Sequence, residues 1–95
     1  MGSEQRVSHW IDGENWTGPP GRTGDIFDPA TGAVTRVVDL AESATVDAAV
    51  AAATRAFSSW GRATLTKRMQ VLFRFRELMA EHAADIAALI TAEHG

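Results

Sequence analysis

The chain has 95 residues, 45% of them apolar, with nine Lys and Arg against twelve Asp and Glu and a formal net charge of −3. That balance argues against a general nucleic-acid or anionic-membrane binder, because both partners select a positive field. Cysteine is absent, which excludes disulfides, thiolate metal sites and cysteine nucleophilic catalysis within these residues.

The apolar fraction is inflated by alanine, which contributes little buried area. The larger apolar side chains run from Val34 to Ile90, enough for only a thin core. The expectation is either a marginal helical unit or apolar faces completed by something outside the sequence. No apolar run approaches the ~20 residues of a bilayer span. Residues 1–6 lack the apolar centre of a secretory signal, and Arg6 stands where a myristoylation start at Gly2 needs Ser or Thr. The chain is expected to be cytoplasmic, with no membrane and no nucleic acid among its partners.

In chain order, Trp10-Ile11 and Asn15-Trp16 flank Asp12-Gly13, which predicts a two-residue type I′ hairpin with positive φ at both central residues. Residues 17–24 carry three glycines and two prolines and read as a loop. A strand resumes at Ile26-Phe27. Asp28-Pro29-Ala30-Thr31-Gly32 then reverses the chain: Pro29 presets φ, and Asp28 is suited to an Asx-turn. Residues 34–40 alternate as a strand, with Val34, Arg36, Val38 and Leu40 on one face and Thr35, Val37 and Asp39 on the other.

From Ser43 the period changes to that of a helix. Val46, Ala49, Val50, Ala53, Phe57 and Trp60 share one face, with Ser43 or Thr45 as N-cap and Gly61 as the stop. A second helix begins near Thr66 with Val71, Leu72, Phe75, Leu78, Met79 and His82 on one side. It continues through Ile86, Leu89 and Ile90 with a bend near 83–85. The predicted organisation is thus a β arm over 7–40 and helices over 43–95, forming a helical hairpin: α+β taken alone.

Chemistry is sparse. His9, His82 and His94 lack the spacing of a zinc helix, and adjacent Glu93 and His94 do not share a helix face. Gly18, Gly21 and Gly24 match neither dinucleotide nor Walker phosphate patterns. Phe73-Arg74-Phe75-Arg76 interleaves aromatics with bases, but on a helix the four point in four directions, with Arg74 placed to pair with Glu77. Ser43, Ser58 and Ser59 have no triad partners at a recognisable spacing. No catalytic, cofactor-binding or metal-ligating residue is assigned.

Taken in order, 9–13 (His-Trp-Ile-Asp-Gly) and 21–32 (Gly-Arg-Thr-Gly-Asp-Ile-Phe-Asp-Pro-Ala-Thr-Gly) resemble the N-terminal arm of the aldehyde dehydrogenase superfamily. Residues 46–53 with Ala56, Phe57 and Trp60 resemble that family's first helix. Lys67-Arg68, 71–78, Leu89-Ile90-Thr91 and Glu93-His94-Gly95 resemble its second helical segment. The closing Glu-His-Gly and the Gly-Arg-Thr-Gly-Asp run point to the CoA-acylating methylmalonate-semialdehyde branch. Asp28 departs from the family's usual Asn before Pro, though either side chain can make the Asx-turn.

The resemblance implies an α/β fold in which this chain is an incomplete, N-terminal part of a Rossmann-like NAD-binding domain. It also implies an enzyme that is a homodimer or tetramer when full length. There a cysteine thiolate attacks the aldehyde, hydride passes to NAD⁺ and CoA takes the acyl group. Malonate and methylmalonate semialdehydes would lose CO₂ and give acetyl-CoA and propionyl-CoA. Those catalytic and NAD-binding groups belong to later segments of the family, so this segment alone is expected to bind neither NAD nor CoA and to be inactive. Its expected partner is the remainder of the dehydrogenase fold or a homologous subunit. The alternatives are another NAD(P)-dependent aldehyde dehydrogenase, of succinate- or betaine-aldehyde type, and a stand-alone structural or interaction module.

Overall fold

A computed structural model describes residues 5–16, 18 and 21–95. Expectations that fall on residues 1–4 and on Thr17, Pro19 and Pro20 lie outside them. Among the described residues five strands precede three helices: β1 (Gln5–Val7), β2 (Trp10–Ile11), β3 (Glu14–Asn15), β4 (Thr23–Phe27), β5 (Val34–Asp39), α1 (Ser43–Trp60), α2 (Leu65–Glu81) and α3 (Ala83–His94).

β2 and β3 form the expected hairpin, pairing Trp10 with Asn15 and Ile11 with Glu14. Asp12 and Gly13 take φ of 57° and 78°, the left-handed pair that a type I′ turn requires. The other three strands make a sheet in the order β1-β5-β4, with β1 parallel and β4 antiparallel to β5. Between β4 and β5, Asp28 Oδ1 accepts from Ala30 N–H at 2.8 Å, the Asx-turn, and Gly32 takes φ 75°. A register shift at Ile26/Phe27 leaves Thr35 as the extra residue, its hydroxyl donating to the Ile26 carbonyl at 3.3 Å.

Two sequence expectations about element ends are corrected by pairing and capping. Thr23 and Gly24, read as loop, belong to β4, because their pairing with Asp39 and Val38 supplies a ladder. The N-cap of α1 is Glu42 rather than Ser43 or Thr45; Thr45 is the third helical residue, and its Oγ1 accepts from the Glu42 N–H at 3.4 Å. β1 was not foreseen, since three residues carry no alternation and their strand state depends on a partner thirty positions away.

Gly61 ends α1 as expected, its N–H donating to the Phe57 carbonyl at 2.9 Å. Thr64 caps α2 by accepting from Lys67 N–H at 3.2 Å. The second helix is divided at His82 (φ −103°, ψ 17°), one residue before the expected bend. A tight turn joins α1 to α2, but the two do not lie along one another as a closely packed pair. Arg36 of β5 ties to Glu93 of α3 at 2.7 Å.

The packing face of α1 is rotated from the one that periodicity marked. Thr45 is buried and Ala48, Ala49 and Ala52 are half-buried, whereas Val46, Val50 and Phe57 are 51%, 59% and 72% exposed. These two sets lie about 130° apart around the helix. The hairpin docks on the alanine side, where small side chains let β2 approach closely, and the large side chains face outward.

Among the described residues no apolar side chain is buried. The accessible surface is 7679 Å², against roughly 5,300 Å² for a folded monomer of this mass. The radius of gyration is 17.1 Å, against about 12 Å for a compact domain of this length. The secondary structure is complete, but a core is not.

Candidate functional site

The polar structure is concentrated at β5 and its flanks. Asp39, at the end of β5, is 7% exposed, the only buried charged side chain among the described residues. Arg6 Nε donates to its two carboxylate oxygens at 2.7 and 2.8 Å, Arg6 Nη2 donates to Oδ2 at 2.5 Å, and Ser8 Oγ donates to Oδ2 at 2.7 Å. A carboxylate removed from water costs free energy unless donors replace the lost hydration, and here two side chains do so. The Arg6 hydrogen bonds, followed by that of Ser8, hold the Asp39 carboxyl down to about 2, and the same pairing raises Arg6 above its ordinary value.

A second, more exposed cluster closes the loop before β4. Glu42 Oε1 accepts from the Arg22 backbone N–H at 3.1 Å and from Arg22 Nε at 3.0 Å, while Arg22 Nη2 donates to the Ala41 carbonyl at 2.9 Å. The backbone bond, then the side-chain bond, lowers the Glu42 carboxyl from its usual range. Glu42 also explains Gly21, where a Cβ would stand 2.8 Å from Oε1.

Shallow grooves flank the hairpin. One of about 290 Å³ lies between Trp10, Ile11 and the Ala49, Ala53 and Ala56 side of α1. Another of about 210 Å³ involves Trp16, Asp12, Glu14 and Arg55, with Asp12 and Arg55 at 3.5 Å. Along α2, Val71, Phe75 and Leu78 form an apolar strip bordered by Lys67 and Arg74. Leu72 is 63% and Phe75 60% exposed. The apolar positions of α2 cover more than half its circumference, wider than the stripe of a helix with one covered face.

The groups weighed for chemistry fall into structural roles. Ser58 and Ser59 donate back to the Arg55 and Ala56 carbonyls at 2.8 and 3.3 Å. His82 Nδ1 lies 3.5 Å from Asp85, one turn along the same helical segment. His9 contributes its carbonyl to the hairpin, accepting from Trp16 N–H at 2.8 Å. Arg74 pairs with Glu77 at 3.1 Å, as spacing predicted. Gly24 sits inside β4 and Gly21 faces a carboxylate, which repels phosphate. Among the described residues no three His, Asp or Glu side chains gather as a metal site, and no helix is long and apolar enough to cross a membrane. The residue that sequence reasoning missed is Asp39; an acid inside the Val34–Asp39 strand was the available signal.

The arrangement is thus a set of exposed apolar side chains beside two polar clusters. The chain is similar to proteins named as dehydrogenases. The chain is 41% identical over 89 residues to malonate-semialdehyde dehydrogenase of Pseudomonas aeruginosa, covering 94% of this chain and 18% of that protein. It is 34% identical over 95 residues to malonate-semialdehyde dehydrogenase of Listeria monocytogenes, covering 100% of this chain and 20% of that one. The crystal structure of a protein assigned as a methylmalonate-semialdehyde dehydrogenase from Sinorhizobium meliloti, complexed with NAD, superposes with a TM-score of 0.94 at 34% identity. That match covers 100% of this chain and 19% of the other. The chain therefore spans about one fifth of the length of the relatives it matches. The pattern of the aldehyde dehydrogenase family matches residues 16–95, and the chain belongs to that family.

Proposed function

We propose that this chain is the N-terminal structural segment of a CoA-acylating, NAD-dependent dehydrogenase of malonate or methylmalonate semialdehyde, a cytoplasmic homodimer or tetramer when whole. The segment supplies the β arm and the first helices and has no catalytic, NAD-binding, CoA-binding or metal-binding residue of its own. The observation that carries the reading is the superposition of the whole chain, at TM-score 0.94, on the NAD-complexed relative. It is joined by an accessible surface too large for a self-contained unit, about 2,400 Å² above that of a folded monomer of this mass, with Phe57, Leu72 and Phe75 among the exposed apolar side chains. That is the scale of an obligate interface rather than of a transient one. The catalytic work in this reading belongs to a cysteine elsewhere in the fold, since none is present here.

The test is to isolate, with an antibody to this sequence, the polypeptide that carries it in its source cells, and to follow NADH formation. The reading expects turnover with malonate or methylmalonate semialdehyde that depends on CoA, and none from the 95-residue chain alone. Turnover that prefers succinate or betaine aldehyde, or ignores CoA, would assign another branch of the family. Turnover by the pure 95-residue chain would overturn the reading altogether. A polypeptide of 95 residues that binds other proteins without turnover would instead favour a stand-alone module.

A further inference from the structure

We infer that Asp39 is the positioning residue of the N-terminal arm, a single carboxylate that pins β1 through Arg6 and the β2–β3 hairpin through Ser8, so that arm and hairpin form one strap from the edge of β5 to α1. The geometry carries this. Among the described residues β1 is three residues long and pairs with β5 alone, so its ladder offers little independent hold. Its one charged side chain, Arg6, spends its fork on Asp39. Ser8 is bonded to the same carboxylate, and its neighbour His9 begins the hairpin, whose closing bond runs from Trp16 N–H to the His9 carbonyl. Ser8 Oγ also stands 3.5 Å from the Trp16 carbonyl, at the outer limit of a hydrogen bond. Chain continuity, more than that long contact, transmits the anchor to the hairpin. Among the described residues the hairpin faces α1 across shallow grooves lined by Thr45, Val46 and small alanine side chains, with the exposed Asp12–Arg55 pair at 3.5 Å, so little there fixes its place.

Backbone amide exchange on the full polypeptide that carries this sequence, where the rest of the fold covers the apolar faces, separates the two arms of the anchor. In the native sequence the paired amides of β1 and the Trp16 amide are protected. Asp39→Asn should accelerate both sets, by roughly tenfold given the usual strength of hydrogen bonds to charged groups. Arg6→Gln should accelerate the β1 set and spare Trp16, whereas Ser8→Ala should do the reverse. Glu42→Gln, which loosens the other cluster, should leave both sets unchanged. The inference fails if Asp39→Asn affects only one set, if Arg6→Gln and Ser8→Ala act identically, or if neither set is protected in the native chain. It also fails if Asp39→Asn abolishes the helical circular dichroism, because the strap is argued to be separable from the helices.

Discussion

Leu72 stands 63% exposed on α2, and its fate distinguishes a surface helix from one awaiting cover. Burying a leucine side chain from full exposure stabilises by about 1.5–3 kcal/mol, so covering the exposed share is worth about 1–2 kcal/mol. Leu72→Ala removes most of that gain from any association that covers α2. At 1.4 kcal/mol per tenfold, association weakens by roughly 5- to 25-fold. The structure of the chain by itself should hardly change, since alanine is the better helix former and little contact is lost. The assay is complementation: the Pseudomonas aeruginosa relative is expressed without the segment that aligns to this chain, and the chain is titrated in while NADH formation is followed. The half-saturating concentration should rise by the stated factor for Leu72→Ala and stay within twofold for Gln70→Ala, a polar α2 control. Equal half-saturation for Leu72→Ala and the native chain would refute the claim that this face is covered by the rest of the fold.

Two further outcomes follow from the polar groups. The folded-state carboxyl of Asp39 titrates at about 2, below its ordinary 3.8. Folding is therefore favoured by its ionised form; the contribution is whole above about pH 4 and disappears as pH falls through about 2. Amide exchange in β1 and the hairpin should accelerate across that acid window in the native chain and show no such step in Asp39→Asn; a step at neutral pH would contradict the assignment. Thr64→Ala deletes the acceptor for Lys67 N–H and should cost α2 about 1 kcal/mol, read as lower helical circular dichroism, while Thr66→Ala should not.

Local chemistry was legible wherever a residue type leaves the backbone few choices. Asp12-Gly13 announced a type I′ turn because both positions need positive φ, and Asp28 announced its Asx-turn because its carboxylate reaches the N–H two residues on. Gly61 marked the end of α1. What stayed hidden depended on partners distant in sequence. β1 exists because β5 lies beside it, and Asp39 is buried because Arg6 and Ser8 arrive from thirty positions away. The rotation of α1 has a related cause. Hydrophobic periodicity locates the largest side chains, whereas the hairpin settled on the smallest, where backbones come nearest. The wide apolar arc of α2 was also visible in sequence, but periodicity does not say how much of an apolar face its own chain will cover. The family resemblance was legible because turn residues and helix patterns recur in order over nearly the whole chain.

The central claim is that these residues supply architecture whose core is completed by the rest of an aldehyde dehydrogenase fold. Differential scanning calorimetry of the 95-residue chain at low concentration, with its mass followed by light scattering, tests it most directly. The account predicts a self-associating or partly disordered chain with no sharp transition, because among the described residues no apolar side chain is buried to make melting cooperative. A monomer that melts in one sharp, reversible step, with calorimetric and van't Hoff enthalpies equal, would contradict it.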